Sequence, residues 1–150
     1  MFKETTWKDS EKKVQAYMKK RGYKIIYTNF SCVGVELDIV AILPRKVQKN
    51  MLKQEYKERM INDKSRKNIY KHSLKASLKL VEDLLVITEV KGRETDKYGL
   101  GMEAVSDYKK NNLTRGARFL QKDKKFEKMQ IRFDVASVDG GKITYIDGVF

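Results

Sequence analysis

The chain has 150 residues, 41% hydrophobic and 35% charged, and its 33 Lys and Arg against 20 Asp and Glu leave a formal net charge of +13. One cysteine, Cys32, excludes an intrachain disulfide or a cysteine zinc cluster, and one histidine, His72, set in a lysine-rich run, argues against a His-ligated metal or a Ser-His-Asp triad. Residues 1–150 suit one domain; no run reaches the ~20 apolar residues of a membrane span and none suits a signal peptide, so a cytoplasmic protein is expected.

Residues 7–20 predict a first helix, with Thr5 or Thr6 as N-cap and Gly22 past its end. Trp7, Glu11, Val14 and Met18 share one face, which puts an acid on the stripe that should meet a sheet. Glu11 is then either a rim carboxylate reaching solvent or part of a site. Residues 23–29, β-branched and aromatic, predict a first strand. Residues 35–43 predict a second, apolar on both faces beyond Asp38, hence central, and stopped by Pro44. Strand alternation sets Glu36 and Asp38 on one face and Leu37, Ile39 and Ala41 on the other.

Residues 45–81 change character, with twelve Lys and Arg against three acids, a net +9. Two sparse apolar stripes (Leu52, Tyr56, Met60, then Tyr70, Leu74, Leu78) predict a largely helical insert. It is a helical hairpin, one long irregular helix, or a stretch that orders only on binding. Alternatively Glu82-Asp83 is a tight turn between two strands, with Leu78 to Val81 as the end of the insert's return path. Residues 84–91 predict a third strand ending in Glu89-Val90-Lys91, with Glu89 and Lys91 on one face. Tyr98-Gly99-Leu100-Gly101 lacks the residues of a phosphate loop and the spacing of a dinucleotide fingerprint.

A second main helix is expected near 103–122, with Met102, Val105, Lys109, Leu113 and Leu120 roughly on one side. Lys109 is a cation on that stripe, either snorkelling to the edge or serving a site. Residues 131–138 predict a last core strand, and Asp139-Gly140-Gly141 turns the chain into a partner at 143–146. The order predicts an α/β fold: a small mixed sheet flanked by helices, with the basic insert between strands 2 and 3.

Two apolar strands that each carry acids are poor core designs, because an unpaired buried carboxylate is costly. They make sense around a metal ion. Phosphodiester hydrolysis needs a nucleophilic water, a stabilised leaving oxyanion and neutralised phosphate charge, and a divalent metal held by carboxylates supplies all three. The available oxygen ligands suit Mg2+ or Mn2+. Asp38, Glu89 and the Val90 backbone carbonyl are the expected ligands, and Glu11 completes the site directly or through water. Lys91 would orient or help deprotonate the attacking water. Arg93 and Lys109 are expected on flanking phosphates, with Arg45, Lys46, Lys49 and Lys53 of the insert as further nucleic-acid contacts. The +13 charge favours nucleic acid as partner, ahead of an anionic membrane surface.

This constellation resembles the PD-(D/E)XK nuclease superfamily, whose restriction-endonuclease-like core is found also in Holliday junction resolvases. More closely, the chain resembles the YraN-type endonuclease family. The similarity includes Glu11, Arg21-Gly22-Tyr23, Asn29, Gly34 to Ile39, and Glu89-Val90-Lys91-Gly92-Arg93. It continues through Ala104-Val105 with Lys109, then Arg132-Phe133-Asp134-Val135 and Phe150. The resemblance implies an αβββαβ core and a divalent-metal site at Asp38, Glu89 and Lys91, with Glu36 and Glu11 nearby. It leans toward structured or branched DNA and a homodimer, and the lack of any base-reading module in the sequence favours recognition by shape and backbone.

Two departures stand out. Val35 replaces the family's usual glycine, and the basic insert replaces a short turn, as a substrate clamp, a dimer arm or a solvated decoration. The competing functions are a non-catalytic DNA- or RNA-binding protein that keeps the fold, and a peripheral membrane or ribosome-associated protein whose acids are structural.

Overall fold

In this computed structural model, which describes residues 7–92 and 106–150, the chain begins with helix α1 (Trp7–Lys20) and strands β1 (Lys24–Cys32) and β2 (Val35–Leu43). Helices α2 (Arg45–Asn62) and α3 (Lys67–Leu80), strand β3 (Leu84–Gly92), helix α4 (Asp107–Leu120) and strands β4 (Gln130–Asp139) and β5 (Lys142–Ile146) follow. One mixed sheet runs in the order β1-β2-β3-β4-β5. Only β3 and β4 are parallel; the other neighbours are antiparallel. A parallel pair needs a crossover, and α4 lies in it. This is the expected α/β architecture, consistent with a restriction-endonuclease-like core.

Each face of the sheet has its own apolar layer. Val14 and Met18 of α1 pack with Ile39, Ala41, Val86, Val90 and Ala136. On the other face Leu113, Ala117 and Leu120 of α4, with Phe126 beyond it, pack with Leu37, Val40, Ile42, Leu85 and Ile87. Full burial stabilises by roughly 1.5–3 kcal/mol per large aliphatic side chain, so these layers hold the helices on the sheet. Helix α4 approaches closely at Gly116, where a Cβ would lie 2.9 Å from Leu37 Cδ2. The α4 stripe is present at Leu113 and Leu120, while Met102 and Val105 lie outside the described residues. Ser106 caps α4, its hydroxyl accepting from Lys109 N at 3.2 Å.

The insert is a helical hairpin, not one long helix. Its two apolar stripes are only half-buried, and neither α2 nor α3 has a fully buried residue. Pro44 ends β2 and is also the N-cap of α2, where its ring offers no capping acceptor. Asp83 supplies one: its Oδ1 accepts from Arg45 N at 2.7 Å. Gln48 Nε2 donates to Leu43 O (3.0 Å) and Glu82 O (2.6 Å), closing the base. Helix α3 ends at Leu80 and β3 starts at Leu84, so Glu82-Asp83 joins a helix to a strand and is not a turn between two strands. At the same base Gly22, at φ 93°, lies under Val47, whose two methyls would each be 2.9 Å from an added Cβ. Among the described residues no helix is long and apolar enough to cross a membrane.

Candidate functional site

Strands β2 and β3 pair as far as Ile39 opposite Thr88, and Asp38 and Glu89 are the next residues along. There a side chain takes over from the backbone ladder: Asp38 Oδ2 accepts from Val90 N at 2.8 Å. The strict alternation expected of β2 also breaks at this point. Leu37 packs in the α4 layer with Val40 and Ile42, whereas Ile39 and Ala41 pack in the α1 layer. Leu37 thus does not share a face with Ile39 and Ala41. Beside it on β1, Asn29 has φ 49°, and Tyr27 and Phe30, of opposite parity, pack in one layer. Asn tolerates this left-handed backbone better than most residues. The two strands change face together, next to the acid.

Three buried carboxylates, Glu11, Asp38 and Glu89, lie near enough here for Asp38 to feel the charge of the other two. Glu11 is 3% exposed, Asp38 8% and Glu89 9%, which removes the rim reading of Glu11. Glu11 Oε2 accepts from Asn29 Nδ2 at 3.0 Å, and Glu89 Oε1 meets Lys109 Nζ at 2.8 Å. Among the described residues, Glu11 Oε1 and Glu89 Oε2 are buried with no hydrogen-bond partner. A buried, unsatisfied charged oxygen costs more than the roughly 1–3 kcal/mol of a neutral polar group. Burial, then the nearby Glu89 charge, pushes the Asp38 carboxyl up to about 7, against the lowering effect of the Val90 N–H. Burial raises Glu11 as well, opposed by the Asn29 hydrogen bond and reinforced by Glu36 and Glu89. For Lys109, burial acts downward, but the hydrogen bond and charge of Glu89 prevail and raise it.

The other expected site residues are placed differently. Lys91 is half-buried, two residues beyond Glu89, and Glu36 is exposed. Arg93 lies outside the described residues. Lys109 faces the acids, where the snorkelling alternative would have turned it to solvent. Arg45, Lys46, Lys49 and Lys53 belong to α2, which leaves the sheet at the end of β2 opposite to Asp38. Five strand residues, about 17 Å, separate Asp38 from Leu43 at that end.

The donor set is all oxygen apart from Lys109, which suits a hard divalent cation. The two unpartnered carboxylate oxygens fit such a guest. Among the described residues no three His, Cys, Asp or Glu groups gather in a ready-made cage. The residues that could hold a cation are Asp38, Glu89 and the Val90 carbonyl, with Glu11 directly or through water.

A model of the uncharacterised protein family UPF0102 matches residues 10–138, from the helix that carries Glu11 to the end of β4. The chain belongs to UPF0102, the YraN family. It is similar to a UPF0102 protein of Clostridium acetobutylicum, 29% identical over 146 residues, covering 93% of this chain and 88% of the relative. It is also similar to one of Syntrophus aciditrophicus, 27% identical over 149 residues, covering 97% of this chain and 87% of the relative.

The UPF0102 match also covers a group whose role the strand pattern alone did not reveal. Asp134 on β4 is 1% exposed, yet every contact is satisfied by design of the surrounding layer. Arg132 Nε and Nη2 donate to its two oxygens at 2.8 and 2.7 Å, Tyr145 Oη donates at 2.5 Å, and Gly148 N at 3.0 Å. Arg132 also donates to Tyr23 Oη at 2.8 Å, and the Thr88 and Tyr145 hydroxyls lie 3.1 Å apart. Arg132 and Asp134 share a strand face, which was the available signal. This paired and fully bonded carboxylate ties β4 to β5, and through Arg132 and Tyr145 the network reaches Tyr23 just ahead of β1 and Thr88 of β3, in contrast to the acids at the β2–β3 divergence.

Proposed function

We propose that this chain is a divalent-metal-dependent endonuclease that hydrolyses phosphodiester bonds in structured or branched DNA. The observation that carries the reading is the pair of buried carboxylate oxygens, Glu11 Oε1 and Glu89 Oε2, left without donors in the cluster that contains Asp38. Mg2+ or Mn2+ would be held by Asp38, Glu89 and the Val90 carbonyl, with Glu11 and Glu36 nearby. When bound, such an ion polarises the phosphoryl group and lowers the pKa of a water.

The chain's own residues do the rest. The Val90 N–H orients the Asp38 carboxylate, and Asn29 fixes Glu11. Lys91 orients the attacking water and offsets charge on the phosphate. Lys109 balances Glu89 and, with Arg93, holds flanking phosphates. Recognition is by shape and backbone, in keeping with the net charge of +13. A homodimer would suit cutting two strands of a branched substrate.

The test is Mg2+- or Mn2+-dependent cleavage of labelled four-way, flap, single-stranded and duplex DNA by wild type and Asp38→Ala. Cutting that the substitution abolishes while binding persists is the expected result. Equal cutting by both proteins would remove Asp38 from the site. One observation favours a non-catalytic nucleic-acid-binding protein instead: Lys109 already neutralises Glu89 across 2.8 Å. Salt-sensitive binding with no metal-dependent cutting of any DNA or RNA would establish that reading.

A further inference from the structure

The hairpin carries a periodic charge pattern that the acid cluster does not use. On α2, Arg45, Lys49, Lys53 and Lys57 recur every fourth residue, and on α3 so do Lys67, Lys71, Lys75 and Lys79. Residues four apart lie on one helix face, about 6 Å apart along the axis, so each set is a cationic ladder roughly 18 Å long. Like charges at that spacing repel, and neither ladder has interleaved acids to relieve it.

The two ladders meet at the base of the hairpin. Arg45, Lys49, Lys71, Lys75 and Lys79 line one groove, with Leu74 and Leu78 as its apolar lining. The insert's three acids are engaged elsewhere. Glu55 pairs with Arg59, Glu58 accepts from Gln54, and Asp63 accepts from Ser65. The charged residues that line the groove are therefore all cations, drawn from both helices.

We infer that this α2–α3 groove grips the phosphate backbone of a nucleic-acid duplex, at the end of the sheet away from the acid cluster. Charge complementarity selects a polyanion, and two cationic walls suit a rod of regularly spaced phosphates. A flat lipid surface would call for apolar groups projecting among the groove's cations, whereas Leu74 and Leu78 are half-buried there and the exposed Ile61, Ile69 and Leu80 lie outside the groove lining. Among the described residues that line the groove none is an aromatic on which unpaired bases could stack, which favours duplex over single strands. The inference deepens the nuclease reading by naming where its substrate is held, and rests on that reading only for the choice of nucleic acid among polyanions.

The experiment is anisotropy of labelled duplex DNA, and of the matching RNA duplex, over a salt series with EDTA present. It compares wild type, a Lys71→Gln/Lys75→Gln/Lys79→Gln variant and a charge-matched Lys124→Gln/Lys128→Gln/Lys142→Gln control, after urea unfolding confirms that all are folded. Each lost phosphate contact lowers the slope of log K against log salt by about 0.9, so the groove variant should lose about 2–3 units of slope and at least tenfold in affinity. The control should lose far less. Equal losses in both variants, or an unchanged slope in the groove variant, would overturn the inference. So would stronger groove-dependent binding to phosphatidylserine vesicles than to either duplex. Cleavage by wild type is scored separately with metal: groove-dependent binding without cutting sinks the nuclease reading and leaves the groove standing, and cutting with an indifferent groove does the reverse.

Discussion

Replacing Asp38 with asparagine should stabilise the metal-free protein at pH 8 and leave it nearly unchanged at pH 4.5. Burial and the Glu89 charge lift this carboxyl from 3.8 to about 7 in the folded state. The unfolded chain therefore releases the proton near pH 4, while the folded chain keeps it to about pH 7. The raised value is destabilising above the unfolded pKa: wild-type stability falls as pH rises from about 4 to about 7, then levels off. Three pKa units at 1.36 kcal/mol each make that loss about 4 kcal/mol. An asparagine avoids it but weakens the hydrogen bond from Val90 N by about 1 kcal/mol, so the expected gain at pH 8 is about 3 kcal/mol. Urea unfolding of both proteins at pH 4.5, 6 and 8 in EDTA measures the difference. Glu11 is displaced in the same direction in both proteins, and the subtraction removes most of its contribution. A difference that does not change with pH, or an asparagine variant less stable at pH 8, would refute the reasoning.

Three further substitutions probe other parts of the frame. Lys109→Met deprives Glu89 of its cation and should destabilise the metal-free protein by about 1–2 kcal/mol at pH 8, a figure discounted for the partial exposure of Lys109; added Mg2+ should then raise the melting temperature more than in wild type. Gly116→Ala drives a methyl against buried Leu37, and should cost about 1–2 kcal/mol in a urea titration, since overpacking outweighs the gain in helix propensity. An unchanged midpoint would mean that α4 can shift freely on β2. Tyr145→Phe strips Asp134 and Thr88 of a shared hydroxyl, and calorimetry should register a loss of about 1–3 kcal/mol.

The elements most legible in the sequence were those whose pattern is dense. The bounds of α1 and β2 follow directly from an amphipathic run closed before Gly22 and from an apolar run stopped by Pro44, while the expected N-cap, Thr5 or Thr6, lies outside the described residues. The strand β1 extends three residues past Asn29, because the left-handed backbone there bends the strand without ending it. The insert's form was open because three apolar residues per helix set no clear packing partner; Asp83 and Gln48 settle it through contacts far apart in sequence. Burial of the acids was anticipated at Asp38 and Glu89, but Glu11 and Lys109 could be placed only once α1 and α4 had docked on the sheet. The face change at Asp38 could not be read from spacing, since strict alternation assumes an unbroken pleat.

Leu43 and Leu84 face each other on adjacent antiparallel strands. The forty residues 44–83 therefore leave and re-enter the sheet at a gap that a two-residue turn could bridge. Closure entropy grows only with the logarithm of loop length, by about 0.6 kcal/mol per doubling, so lengthening such a turn twentyfold costs roughly 2–3 kcal/mol before any contact within the hairpin offsets it. A fold built this way can gain, lose or exchange its charged arm while the pairing of β2 with β3, and with it the position of Asp38 beside Glu89, stays as it is.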